Sequence, residues 1–263
     1  MPQNVMEISS LTKVFDTPTG PYVAVKDFQA TFEPGEFVAL LGHSGCGKST
    51  VLSIVAGLQE RTEGGVIVDG REIDGPGLDR AFVFQSPCLL PWMSALENVL
   101  LAVHQGHPSK SKPEQLALAE KYMELVGVTE YAQQMPTELS QGTQQRVAIA
   151  RALSLEPRYL LLDEPFGALD SITRCELQDL VLDLWEQEPK TVLMVTHDVD
   201  EAIFLCDRIL LMTDGPESRV GLNLPVTLPR PRSRRWAIEN PEYFRIRKEV
   251  IGFLEHHSKQ FAH

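Results

Sequence analysis

Residues 37–50 read Phe37-Val38-Ala39-Leu40-Leu41-Gly42-His43-Ser44-Gly45-Cys46-Gly47-Lys48-Ser49-Thr50. Five apolar residues in a row suit a buried strand, and the G-x-x-x-x-G-K-S that follows is a phosphate loop when it sits between a strand and a helix. Thr50-Val51-Leu52-Ser53-Ile54-Val55-Ala56 supplies the helix-like continuation. Glycines let backbone amides turn inward around phosphates, Lys48 brings a cation to the terminal pair, and the Ser49 hydroxyl can bind Mg²⁺. The stretch therefore implies an ATP or GTP site.

Working outward, the chain has 263 residues, 43% of them hydrophobic and 23% charged, which is material for one large domain or a domain with a subdomain. A formal net charge of -12 argues against non-specific attraction to DNA or RNA, because such binding needs a cationic surface. Cys46, Cys88, Cys175 and Cys206 are widely spaced and form no C-x-x-C pair, so reduced thiols fit better than a disulfide framework or a zinc site. The first residues lack the basic and apolar regions of a secretion signal. No window approaches the roughly 20 apolar residues of a membrane span, so any membrane role is expected to be peripheral.

Short strands are expected at 5–8, 28–32, 37–41, 65–68 and 81–84, separated by turns such as Glu33-Pro34-Gly35. From Ser94 to Leu155 the pattern turns helical, with Leu96, Val99, Leu100 and Val103 and then Leu116, Ala119, Tyr122, Met123 and Val126 at helical spacing. Further strands at 159–162 and 191–195 flank a helix over 172–186. Ligands of parallel α/β sheets gather at the carboxyl ends of the strands, so the runs ending at Gly42, Asp163 and Thr196 are expected to deliver their polar residues together.

Leu160-Leu161-Leu162-Asp163-Glu164 is an apolar strand ending in two carboxylates. That order suits Asp163 to hold the Mg²⁺ shell and Glu164 to polarise an attacking water. His197 follows the next strand and could reach the terminal phosphate, and Gln85, after Ala81-Phe82-Val83-Phe84, could bind the metal or the lytic water through its amide.

Together these residues resemble the ATP-binding subunits of ABC (ATP-binding cassette) transporters, over nearly the whole chain. The resemblance rests on the Walker A loop Gly42 to Ser49, the Q-loop Gln85 and the signature region Leu139-Ser140-Gln141-Gly142-Thr143-Gln144-Gln145-Arg146. It rests equally on the Walker B pair Asp163-Glu164, the D-loop Ala168-Leu169-Asp170 and the H-loop His197. It implies an α/β P-loop NTPase: a RecA-like core with an antiparallel β-subdomain over 1–85 and 158–213, an inserted helical subdomain over 86–157, and an extension over 214–263. It implies ATP held by Gly42, His43, Ser44, Gly45, Cys46, Gly47, Lys48, Ser49 and Thr50, with Mg²⁺ on Ser49, Gln85 and Asp163. Lys48, Gln85, Glu164 and His197 would act in hydrolysis. Two such domains would close head to tail around two nucleotides, as a homodimer or a heterodimer, each offering Ser140 and Gly142 to the γ-phosphate on the other. Phe15 stands where the family stacks an aromatic on adenine, with Tyr22 as the alternative. The signature departs from the common L-S-G-G-Q at Gln141 and Thr143, while Ser140 and Gly142 are kept. Gly142 is expected to matter because a side chain there would intrude between backbone and phosphate.

Within the family, Met212-Thr213-Asp214-Gly215-Pro216 and Leu228-Pro229-Arg230-Pro231-Arg232 look like the nitrate, sulfonate, taurine and cyanate importer ATPases. Nitrate is the favoured solute. The resemblance places the chain at the cytoplasmic face of the inner membrane, beside an integral-membrane permease, with a solute-binding protein engaged indirectly and no nucleic-acid partner. No large regulatory domain is expected after the core. Leu89-Leu90-Pro91-Trp92 with Glu97-Asn98-Val99 is similar to the surface that receives a permease coupling helix, and a buried Trp-Pro corner is the other reading. Arg230, Arg232, Arg234 and Arg235 suit either anionic lipid or permease groups or a solvated Pro-Arg linker. His256, His257 and His263 are expected in an exposed tail.

Overall fold

The computed structural model describes residues 5–258. These form two compact units, one from the residues up to Pro76 together with those from Thr191 onward, the other from Gly77–Lys190.

The first unit begins with β1 (Met6–Thr17), β2 (Gly20–Phe32) and β3 (Phe37–Leu41), then α1 (Lys48–Val55), β4 (Glu63–Val68) and β5 (Arg71–Glu72). β2, β1, β4 and β5 lie in that order in an antiparallel sheet whose buried face carries Met6, Ile8, Leu11, Val25, Phe28 and Phe32. The strands expected at 5–8 and 28–32 are only the ends of a much longer hairpin. Register shifts between Ile8 and Val14 break the period-two alternation, so the inner part of the hairpin does not look like a strand in sequence.

The second unit contains β6 (Arg80–Val83), α2 (Ala95–Gly106), α3 (Lys112–Leu125), α4 (Gln141–Leu153), β7 (Tyr159–Asp163) and α5 (Ser171–Gln187). β6 and β7 pair in parallel. The helical stretch resolves into α2, α3 and α4, each started by a serine N-cap residue: Ser94, Ser111 and Ser140. Ser94 with Glu97 and Ser111 with Glu114 complete capping boxes, which satisfy backbone donors that the first turn leaves open.

The chain then returns to the first unit with β8 (Thr191–Thr196), α6 (Val199–Leu205), β9 (Arg208–Met212), β10 (Val220–Pro225), α7 (Arg234–Glu239) and α8 (Pro241–Ser258). There β10 pairs antiparallel with β9, and β9, β3 and β8 run parallel with β3 between the other two. All five residues of β3 are buried, as a central parallel strand requires.

The arginine-rich segment corrects both of its sequence readings at Arg230 and Arg232. α6 is a helix of 7 residues, so its last carbonyls make up much of its backbone and need donors. Arg232, with a side chain only 1% exposed, donates to the carbonyls of Ile203 at 3.2 Å, Phe204 at 3.1 Å and Cys206 at 2.7 Å, and also to that of Leu228. Arg230 adds Leu205 O at 2.6 Å and an ion pair with Asp207 at 2.8 Å, and the Arg234 guanidinium stacks 4.4 Å from the Phe204 ring centre. Two guanidinium groups thus close the carboxyl end of α6, where its dipole favours positive charge. His256 and His257 belong to the last turn of α8 rather than to a tail, and His263 lies outside the described residues.

Candidate functional site

In the first unit, β3 hands the chain to the phosphate loop and α1 takes it up. Gly47 is the N-cap of α1 with φ 93°, no side chain caps the helix, and its first turn holds no acidic residue. The helix therefore starts without a side-chain cap, at the positive end of its dipole, which is an arrangement that receives an anion. A Cβ at Gly47 would meet Val25 Cγ2 at 2.7 Å as well as facing the positive φ, so glycine is required there twice over. Lys48 is 5% exposed and donates from Nζ to the carbonyls of Gly42 at 2.8 Å and His43 at 2.9 Å. Cys46 is buried beside it, and desolvation pushes its thiol pKa up.

Register sets the neighbours of this loop. Leu41 is opposite Thr196 at the ends of the parallel strands β3 and β8, so Gly42 and His197 leave the sheet side by side. Phe15 and Tyr22 are directly opposed across β1 and β2, which puts both rings on one face, and the Lys13 ammonium lies 5.0 Å from the Phe15 ring centre. A Cβ at Gly215 would come within 3.0 Å of the Tyr22 hydroxyl and 3.7 Å of Gly45 O. Tyr22 and the phosphate loop therefore border the same turn. One member of this surround has no signal in the sequence: His43 Nδ1 is 2.7 Å from Asp214 Oδ1, across 171 positions.

In the second unit the same logic places Gln85 and the carboxylates. Val83 is opposite Leu162 in β6 and β7, so Gln85 and Asp163-Glu164 emerge from adjacent strand ends. Gln85 Nε2 donates to Glu164 Oε2 at 3.2 Å. Glu164 holds φ 43°, a left-handed conformation uncommon for a residue with a Cβ. Gly167 borders both side chains, since a Cβ there would lie 3.6 Å from Glu164 Oε2 and 3.8 Å from Gln85 Nε2. Asp170 caps α5 by accepting from the amides of Ile172 and Thr173, each at 3.1 Å; hydrogen bonds, chiefly from the Thr173 side chain, hold its pKa below the usual carboxylate range. Ser140 caps α4 through Thr143 N–H at 3.1 Å, and its Oγ shares a second hydrogen bond with Thr143 Oγ1 at 2.8 Å. Gln145 Nε2 reaches Phe84 O at 3.2 Å, so the helix begun by the signature also supports the peptide ahead of Gln85.

The family model for ABC transporters matches residues 25–167. The chain belongs to the ABC transporter family. A nitrate import ATP-binding protein of Synechococcus elongatus is 50% identical over 251 residues, covering 95% of this chain and 90% of that protein. A bicarbonate transport ATP-binding protein of the same species is 46% identical, covering 97% and 91%. Among solved structures, a dimeric ATP-binding cassette in a post-hydrolysis state bound to ADP and Pi gives a TM-score of 0.76 at 34% identity, over 85% of this chain and 100% of that one. The chain is thus an ABC ATPase, an ATP-binding ATP hydrolase coupled to transmembrane transport.

Two features of this ABC cassette gain a physical meaning from their surroundings. A Cβ at Gly142 would lie 2.4 Å from Thr173 Cγ2, so the packing of α4 on α5 within the chain also favours glycine there. The buried Trp-Pro corner is also excluded, because Trp92 is 69% exposed. Its loop is held from beneath by buried Asn98, which accepts from Leu90 N–H at 2.8 Å and donates to the carbonyls of Met93 and Ser94, both at 3.0 Å. Arg151 supports the preceding stretch by donating to Pro87 O and Cys88 O, each at 3.0 Å. Among the described residues, no helix is long and apolar enough to cross a membrane.

Proposed function

We propose that this subunit energises import of a small inorganic anion, nitrate, through a membrane permease. The supporting observation is the likeness to the nitrate import protein of Synechococcus elongatus over nearly the full length of both chains. Bicarbonate is the second reading, favoured by the similar likeness to a bicarbonate transport protein. The ATPase residues need not encode the solute, so the choice rests on relatives rather than on chemistry of the site.

In this reading the amides of the 42–49 loop and Lys48 hold the ATP phosphates, Thr50 continues the same helix turn, and Phe15, with Tyr22 opposite, presents a face to adenine. Ser49, Asp163 and Gln85 would hold Mg²⁺; hydroxyl, carboxylate and amide oxygens are the hard donors this ion accepts beside phosphates and water. Bound there, it would neutralise charge on the phosphoryl oxygens. Glu164 orients the attacking water, with Gln85 fixing its carboxylate, and His197 steadies the terminal phosphate. Ser140 and the α4 N-terminus serve the nucleotide of a second ATPase subunit, identical or different. Exposed Trp92 belongs to the permease-facing surface, which sets the subunit peripherally on the cytoplasmic membrane face. Residues 86–157 act as the helical subdomain, 1–85 with 158–213 as the core, and 214–263 as the extension.

Uptake of labelled nitrate and of labelled bicarbonate is the test, in cells whose own copy is replaced by wild type or Lys48→Ala. Loss of nitrate uptake alone supports nitrate, loss of bicarbonate uptake alone moves the assignment to bicarbonate, and loss of neither overturns small-anion import. Glu164→Gln is expected to lower ATP turnover by about 100-fold or more while ATP still binds; turnover within threefold of wild type would remove Glu164 from its role.

A further inference from the structure

We propose that Asp214, acting through His43, is a positioning residue of the nucleotide loop, and that the turn after β9 is a working part of the ATP site. The inference rests on the reading that the loop binds ATP phosphates. Within the loop, Lys48 bridges the carbonyls of Gly42 and His43 and so serves as an internal strut. An ammonium has three donors, so on binding phosphate Lys48 divides them between the ligand and these carbonyls, and its hold on the first half of the loop loosens. A tie from outside the loop would keep its shape as that share shifts.

The segment from Met212 to Gly215 is placed to do so. Met212 backbone abuts Gly42, with a Cβ at that glycine coming within 3.3 Å of Met212 O. Asp214 holds the His43 ring at 2.7 Å; its own side chain is only 11% exposed, and its charge is near enough to raise the Cys46 thiol pKa. Gly215 lies between the Tyr22 hydroxyl and Gly45 O, where an added Cβ would press on the hydroxyl at 3.0 Å. The segment is tied back to the hairpin by Ser218 N–H on Ala24 O at 3.2 Å and Lys26 N–H on Ser218 O at 2.9 Å. Nδ1–H donation to the carboxylate fixes the imidazole orientation, and with it the backbone of the residue whose carbonyl accepts from Lys48. Asp214 touches no phosphate in this scheme; it preorganises the loop that does.

Titration of the purified full-length subunit with a fluorescent ATP analogue in Mg²⁺ tests this, alongside steady-state ATPase kinetics. Asp214→Ala and His43→Ala are each expected to weaken nucleotide binding about fivefold, raising KM for ATP with kcat changed less than twofold. The double variant should be no weaker than either single one, because both remove the same tie. Asp214→Asn, whose amide oxygen still accepts from Nδ1–H, should recover most of the affinity and also covers the case in which the alanine variant folds poorly. Affinity unchanged in Asp214→Ala and His43→Ala would overturn the proposal, as would losses that multiply in the double variant. Lys48→Ala is the control: if it binds the analogue as wild type does, the reading of the loop fails rather than the role of Asp214.

Discussion

Replacing Gly142 by alanine separates two demands that meet at one atom. The added Cβ would sit 2.4 Å from Thr173 Cγ2, whereas carbon atoms in contact lie about 3.5–4.0 Å apart, so α4 and α5 must part by more than about 1 Å locally or Thr173 must turn. Turning is resisted, because the Thr173 side chain is hydrogen-bonded to Asp170 at the start of α5. Overpacking of this kind costs roughly 1–3 kcal/mol. Alanine returns up to about 1 kcal/mol by its better helix propensity, and less in a first turn. The expected net loss for Gly142→Ala is therefore about 1–2 kcal/mol, read as a lower urea midpoint at unchanged slope. Thr173→Ser deletes the offending methyl and keeps the hydroxyl, so Gly142→Ala made in that background should cost nothing. ATPase activity of the same four proteins then divides the role of the glycine. Recovery of turnover along with stability makes the requirement one of packing. Stability regained without turnover means that the methyl also obstructs the nucleotide side of α4. A Gly142→Ala protein as stable as wild type, or a loss that Thr173→Ser does not relieve, would refute the overlap.

Arg232→Met is expected to lower stability by about 3–5 kcal/mol, since it strips the donors from the carbonyls of Ile203, Phe204, Cys206 and Leu228. Arg232→Lys should recover only part of this, because an ammonium lacks the guanidinium fork, and chemical denaturation of both variants checks it. Alkylation with iodoacetamide at pH 8, followed by mass spectrometry, should modify exposed Cys88 well before buried Cys46, whose raised pKa leaves little thiolate at that pH. ATP binding should survive the first modification and fail with the second; faster labelling of Cys46 than of Cys88 would contradict the burial described.

What the sequence made legible was chemistry carried on contiguous residues or at the ends of apolar runs. The loop from Gly42 to Ser49, the pair Asp163-Glu164, and Gln85 and His197 each follow a strand visible as an apolar run, and β3 and β8 coincide with their expected spans to within a residue. What stayed hidden were closures between distant segments that packing alone decides. Asp214 meets His43 across 171 positions, and no local pattern announces an acceptor for a loop histidine. The contact that a Cβ at Gly142 would make with Thr173 had no local signature, because Thr173 lies on another helix. The arginine segment shows the difficulty most plainly. Proline-rich, basic composition reads as a solvated linker or a lipid-facing patch, and composition is indifferent to whether a helix end lies nearby. Yet a helix of 7 residues followed at once by Cys206-Asp207 and a strand has carbonyls to satisfy and no glycine to turn on. Asking where those carbonyls find donors would have directed attention to the cations downstream, and among them Arg230 and Arg232 are the ones that answer.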